Sequence, residues 1–336
     1  MRNDARISPL QRKESRRARL RSYRKGNHHR DLTRMHLSQY TLTPQEHDAL
    51  FREYDEGALS PDIIEKNALM RIRELCVGLS DALDRFASAD ADAPILLIRG
   101  LPEKTLGDIA TPSDRRNPAQ ADRRTEANLR LCASMIGASI RAAEGEKFPF
   151  DTPFHHVVPQ QDHADTPAVN NGAGDFPFHQ DRIFLEHTPH LHMLAGVRLG
   201  NDPCPTAFMD TRPILRALPP EMLDAARARE YEDPHTGTLV PILRDAGAGE
   251  YIGADLQPGW MLPITERAER ALTHLRRLSL EHAAQDAISV LIGPGDILIH
   301  DHRRLMHGRE RFAPDFSNHR NLRWMIRSHA MRPDHA

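Results

Sequence analysis

Cysteine is scarce: Cys76, Cys132 and Cys204 are the only three in 336 residues. They are odd in number and far apart, so they make neither a disulfide framework nor a zinc-binding spacing. That pattern suits a reducing, cytoplasmic setting. No run of 18 apolar residues occurs, so no membrane span is expected. No apolar stretch follows the N-terminus, so no secretory signal is expected either. The net charge is only -2, which argues against a global polycation or polyanion. No internal repeat of fixed period is visible.

What charge there is lies unevenly. Residues 1–36 hold 12 Lys and Arg against 3 acids. This segment reads as a basic, flexible arm ahead of a single domain over residues 37–336. The sharper alternative is contact with nucleic acid or another anionic surface. Tyr23 is the only aromatic residue there, and no zinc-finger or helix-turn-helix pattern follows, so nucleic acid is disfavoured as a partner.

The remainder is patterned. Thr43-Pro44-Gln45-Glu46 is a capping box with Pro at the first helical position. Ser60-Pro61 reads as another helix start, and apolar residues at helical spacing from Ile63 to Phe86 predict one long amphipathic helix. Residues 94–102 predict a buried strand closed by Gly100, and residues 127–143 a helix. Residues 103–124 and 160–175 read as polar loops around a strand at 154–159. Strands then dominate, at 176–184, 191–199, 206–210, 238–243, 250–256, 287–292, 296–300 and 323–329. Helices at 211–229, restarting at Pro219-Pro220, and at 266–283 interrupt them. Helices first and short strands after suggest an α+β, mainly β chain: an antiparallel jelly roll flanked by helices.

Two stretches carry chemistry. His179-Gln180-Asp181 on a strand would point both end side chains to one side. With 20 histidines in the chain, such a triplet also arises by chance. The second stretch, residues 295–309, ends in His307. Two imidazoles and one carboxylate hold a metal from one side and leave three positions open. That set suits Fe(II) with a co-substrate and O2.

Residues 295–309 read G-D-I-L-I-H-D-H-R-R-L-M-H-G-R. They resemble the distal-histidine motif of the Fe(II)/2-oxoglutarate oxygenases of the taurine dioxygenase and clavaminate synthase superfamily. Phe178-His179-Gln180-Asp181 is similar to the proximal pair of that family, and Arg323-Trp324-Met325-Ile326-Arg327 to its closing strand. Pro205-Thr206-Ala207-Phe208 lies where the family keeps a threonine for the co-substrate. Residues 215–220 and 251–256 look like the amino-acid hydroxylase branch. The likeness spans roughly residues 94–330. His302 departs from it, standing where the family commonly has Asn.

The resemblance implies a double-stranded β-helix (cupin-like jelly roll), with His179, Asp181 and His307 ligating iron. 2-Oxoglutarate and O2 would take the open positions. Arg323, with Thr206, would hold the far carboxylate of 2-oxoglutarate. Arg320 is the alternative, disfavoured because Trp324 follows Arg323 and Arg327 lies four residues on. Arg327 would hold a substrate carboxylate or other anion, Asn170 and Asn171 an amino-acid backbone, and Asp255 a cationic group. A carboxylate at position 181 argues against halogenation. The implied reaction hydroxylates an unactivated C–H of a free amino acid or similar small zwitterion, releasing succinate and CO2. Oxidative cyclisation or desaturation and taurine dioxygenase-like catabolism are alternatives within the family. Outside it stand a nucleic-acid-associated protein acting through the arm and a zinc hydrolase on the same ligands, for which no general base is evident. His187, His190, His192 and His300 read as core or surface histidines, and Asp301 as a residue that orients neighbouring loops.

Overall fold

Four apolar residues in one short strand set the layering. In Ile95-Leu96-Leu97-Ile98, Leu96 and Ile98 pack under helices, while Ile95 and Leu97 pack against a second sheet. Successive side chains of a strand point to opposite faces, so a continuous apolar run marks a strand covered on both sides. The computed structural model describes residues 35–88, 93–103, 111–112, 123–140, 153–166, 170–181, 188–234, 236–245, 249–253 and 256–332. The basic arm up to residue 34, most of the 103–124 loop, His187 and Asp255 lie outside the described residues.

In chain order the first elements are β1 (Leu37–Thr41), α1 (Pro44–Asp55), α2 (Lys66–Leu75), α3 (Val77–Ala87), β2 (Ile95–Arg99) and α4 (Arg124–Met135). Next come β3 (Ser139–Ile140), β4 (His155–Val157), β5 (Phe176–His179), β6 (Leu191–Arg198) and β7 (Thr206–Asp210). An insertion carries α5 (Arg212–Ala217), α6 (Pro220–Arg227), β8 (Tyr231–Asp233), β9 (Thr238–Val240), β10 (Leu243–Asp245), β11 (Glu250–Ile252) and β12 (Leu262–Pro263). The chain then forms α7 (Glu266–Asp286), β13 (Ile288–Val290), β14 (Ile297–Asp301), β15 (Leu305–Arg309) and β16 (Trp324–Met331).

Seven strands form the larger sheet, in the order β1-β2-β14-β6-β16-β3 with β4 also on β16. Four form the smaller one, β13-β7-β15-β5. Ile95, Leu97, Leu194, Leu298 and Met325 of the first pack with Phe208, Val290 and Leu305 of the second. Helices α1 to α4 cover the outer face of the larger sheet. The insertion and α7 cover Met209 and Met306 on the outer face of the smaller. Among the described residues no closed barrel forms, and no helix is long and apolar enough to cross a membrane.

Several elements differ from the sequence reading. The long helix expected from residue 63 begins at Lys66 and breaks at Cys76 (φ −112, ψ 60). Ser60 Oγ accepts the Ile63 N–H and closes a turn instead of starting a helix. The break is satisfied by Glu46, whose carboxylate completes the α1 capping box and also accepts the Leu79 N–H at the start of α3. One buried acid thus caps two helices. Helix α4 stops at Met135 because Gly137 turns left-handed (φ +77), ending the helix in the way glycine commonly does. Strands β1 and β8 went unread. The strand expected over 176–184 ends at His179, so Asp181 sits beyond the ladder, where the Gln180 amide donates to the carbonyl of His302 at 2.9 Å.

Candidate active site

Strands β5 and β15 are antiparallel, and His307 lies directly opposite His179. The two rings have centroids 4.4 Å apart. Register alone makes this meeting, since directly opposed residues hold their Cβ atoms within about 5.5 Å. Gly308 makes room for it. A Cβ there would come 2.7 Å from the Phe176 carbonyl oxygen, so only glycine lets β5 lie this close. Asp181 completes the group, with Oδ1 3.5 Å from His179 Nε2 and Oδ2 3.8 Å from His307 Nε2. The three residues thus meet at spacings that a single ion could bridge.

The donors are in ligating form. His179 Nδ1 lies 2.9 Å from the Pro177 carbonyl. A ring nitrogen facing a carbonyl carries the proton, which leaves Nε2 with its lone pair toward the site. Burial, then the neighbouring His179, hold His307 well below the usual imidazole range, so its ring is neutral. Burial pushes the Asp181 carboxyl up, but the Arg327 guanidinium beside it, the largest opposing influence, helps to outweigh it. The group stays well below the usual carboxylate range and is ionised. Neutral imidazoles and an ionised carboxylate fit a divalent ion.

Residue 302 shows what a histidine does in a motif that commonly carries Asn. Burial lowers its ring to about 4, so it is neutral, and Nε2 lies 2.7 Å from the Asp181 carbonyl. A neutral ring donating there pins the backbone of the ligand. Asp301 orients the turn as expected, its Oδ1 accepting the N–H groups of Arg303 and Arg304. Asp296 accepts from Gly293 N and Arg99 and fixes the turn before β14.

A cleft opens beside the triad, lined by Asn170, Thr206, His307, Arg309, Arg323 and Arg327 among others. Arg323 is buried, and its side chain forms no ion pair with a described residue; Phe312 faces its guanidinium at 5.9 Å. Arg320 is exposed and does not line the cleft. Arg327 points into the same space, but its Nη1 donates to Asp181 Oδ2 at 2.8 Å. Asn171 is buried, and its amide donates to Gln160 Oε1 at 3.0 Å, closing the 160–171 loop on itself. Asn170 faces the cleft.

Sequence reasoning left out Arg309 and His329, and it read His192 and His300 as core or surface histidines. Arg309 donates to the carbonyls of Gly172 and Gly174, both at 2.6 Å, and ties that loop to β15. Its place in the quoted motif was the available signal. The histidines form a buried row. His300 pairs with His192 across β14 and β6, and His192 with His329 across β6 and β16. Nothing local in the sequence marks them.

Fold and candidate site are similar to those of one class of protein, the non-haem iron oxygenases that include clavaminate synthase. The chain is 28% identical over 262 residues to L-asparagine oxygenase of Streptomyces coelicolor, covering 71% of this chain and 74% of the relative. It is 26% identical to clavaminate synthase 2 of Streptomyces clavuligerus, covering 74% and 78%. L-lysine 3-hydroxylase of Catenulispora acidiphila is 24% identical, covering 76% and 75%. Among solved structures, asparagine oxygenase with Fe(II), 2S,3S-3-hydroxyasparagine and succinate superposes with a TM-score of 0.71 at 22% identity, over 88% of this chain and 93% of that one. The non-haem iron oxygenase OrfP with Fe and alpha-ketoglutaric acid gives 0.70 at 21%, over 88% and 94%. No protein-family model matches the chain.

Proposed function

We propose that this chain is an Fe(II)/2-oxoglutarate-dependent dioxygenase that hydroxylates an unactivated C–H of a free amino acid or similar small zwitterion. In this reading residues 37–336 form one oxygenase domain, and the two facing sheets are the halves of a double-stranded β-helix. The observation that carries the proposal is the pairing of a facial His179–Asp181–His307 set with Arg323, a buried cation with no acidic partner among the described residues, in one cleft. A buried guanidinium without a counter-charge is costly unless an anion arrives. Its planar fork suits a carboxylate. The names of the relatives, an asparagine oxygenase and a lysine hydroxylase, support an amino-acid substrate.

When bound, the ferrous ion would supply the activation of O2 coupled to decarboxylation of 2-oxoglutarate. The residues of the chain do the rest. His179, Asp181 and His307 hold the ion from one side. Arg323 and Thr206 bind the far carboxylate of the co-substrate and so fix its keto-acid end toward the metal. Arg327 holds Asp181 through Nη1 and meets His155 through Nη2, which leaves Nε for an anionic substrate group. Asn170, which lines the cleft, is assigned to an amino-acid backbone; Asn171, assigned with it by resemblance, instead braces the loop through Gln160. Asp255, by its place in the resembling segment, is assigned to a cationic substrate group.

The test is anaerobic addition of Fe(II) and 2-oxoglutarate, followed by a panel of amino acids. A visible charge-transfer band should form and shift with the correct substrate, and succinate and an oxidised product should appear on admitting air. Absence of any band that depends on 2-oxoglutarate in the intact protein overturns the assignment. Product mass separates hydroxylation from cyclisation or desaturation.

A further inference from the structure

The row His300–His192–His329 lies on the inward faces of β14, β6 and β16, beside apolar residues on the first two strands and Arg327 on the third. Leu298 and Leu194 adjoin it on β14 and β6. All three rings are buried, and strand alternation points them at Asp181 on the opposite side of the gap. His192 Nε2 lies 3.3 Å and His329 Nε2 3.6 Å from Asp181 Oδ2. On its other side, His192 Nδ1 is 2.8 Å from His300 Nε2.

One proton must lie between those two nitrogens. Were it carried by His192, a neutral ring would turn an Nε2 lone pair onto a carboxylate oxygen 3.3 Å away in a buried site. If His300 carries it, His192 Nδ1 accepts and Nε2 holds the proton facing Asp181. Only the second arrangement turns an N–H of His192, rather than a lone pair, toward the buried carboxylate, and buried polar groups are overwhelmingly paired. Arg327 Nη1 sits on the same Oδ2 at 2.8 Å. Oδ1 is the oxygen nearer His179 Nε2, at 3.5 Å, and His307 Nε2 lies further off, 3.8 Å from Oδ2.

We propose that His192, oriented by His300, is a positioning residue for Asp181: with Arg327 it occupies Oδ2 and keeps that oxygen off the metal, so that Asp181 ligates through Oδ1 alone. The proposal rests on the oxygenase reading, because only a centre that must bind a bidentate co-substrate and dioxygen needs all three remaining positions. A chelating carboxylate would consume one of them. For the same reason His192 is not a fourth ligand, which would leave no place for dioxygen. Partners of metal-bound carboxylates and imidazoles set ligand orientation and affinity in this way.

The test uses Co(II) alone as the probe, on the full chain, with no co-substrate. Affinity is measured by titration. Ligation is read from infrared difference spectra of protein labelled with 13C-aspartate, in which the two carboxylate stretches are widely split for one-oxygen ligation and narrowly split for chelation. The wild type should show the wide splitting. His192→Leu should narrow it and weaken Co(II) binding by roughly 10- to 100-fold. His192→Gln, which keeps an N–H donor near Nε2, should restore most of both. His300→Leu, which leaves the His192 tautomer unfixed, should show a smaller loss, and it and the Gln variant carry the test if the Leu variant fails to fold. Wide splitting with unchanged affinity in His192→Leu overturns the proposal. So does a loss as complete as in His179→Ala without rescue by Gln, because His192 would then be a ligand. A wild type that binds Co(II) but forms no 2-oxoglutarate band with Fe(II) would fail the functional reading while the infrared result still stands.

Discussion

The two faces of the larger sheet are built by the same alternation and do opposite things. On β6, Leu191, Met193, Ala195 and Val197 face the helices and join one apolar cluster. The residues between them, His192 and Leu194, face the smaller sheet, with His192 beside Asp181. The outer face is redundant: many similar side chains share the burial. The inner face is specific: His192 and Arg327 meet on one oxygen of Asp181, and removing that carboxylate strands the Arg327 charge. Stability and chemistry are therefore separable along a single strand.

Asp181→Ala should have the largest effect, abolishing succinate production. It should also lower stability by about 3–5 kcal/mol, because Arg327 loses its buried counter-charge. Urea unfolding of the metal-free protein checks the second part, and an unchanged midpoint would break the claim of partner dependence. Leu96→Ala on the helix face should cost about 2–5 kcal/mol yet leave 2-oxoglutarate and metal affinity at wild-type values. Altered ligand affinity there would show that the faces are coupled. Arg323→Leu should weaken 2-oxoglutarate about 100-fold, the scale of a lost pair of charge-assisted hydrogen bonds. Stability of the free protein should hold or rise, since a desolvated cation is removed.

Acid sharpens the comparison further. Burial lowers His300 to about 3 and His302 to about 4, and holds His192 and His307 well below the ordinary imidazole value. The unfolded chain therefore binds more protons below about pH 6.5. Stability of the metal-free protein should be full above that pH and fall as pH drops from about 6.5 toward 4, by up to about 1.4 kcal/mol per pH unit for each ring. Asp181, depressed instead, keeps its contribution until pH falls below the ordinary carboxylate range. A flat urea midpoint between pH 7 and 5 (both chosen about the imidazole reference value) would count against neutral rings. Gly308→Ala should give the smallest effect, a several-fold loss of metal affinity as the new methyl group pushes β5 off β15 at the Phe176 carbonyl.

How much was legible follows from distance along the chain. The 295–309 motif is local, so His307, Asp301 and the tie at Arg309 sit in one readable stretch. The helix start at Thr43 and the restart at Pro219-Pro220 are local too, and both occur. The break at Cys76 was not readable, because its partner Glu46 lies thirty residues earlier. Parity along a strand was visible, but register between strands was not. His192 and His300 were therefore read as core or surface histidines, though pairing across 108 positions sets His300 on His192, which faces the ligand carboxylate. Arg327 was read for the face it occupies, and its bond to Asp181 was unseen for the same reason.

Strand β5 is the outermost of its sheet and touches only β15 in the ladder, at His307 and Arg309. One of those two ladder positions joins the imidazoles that face the metal. An ion seated there would act as a rivet through the hem of the sheet, clamping a loose margin to its neighbour. Loading would then stiffen the rim of the cleft, and slowed amide exchange at Phe178 and His179 would mark the moment the rivet closes.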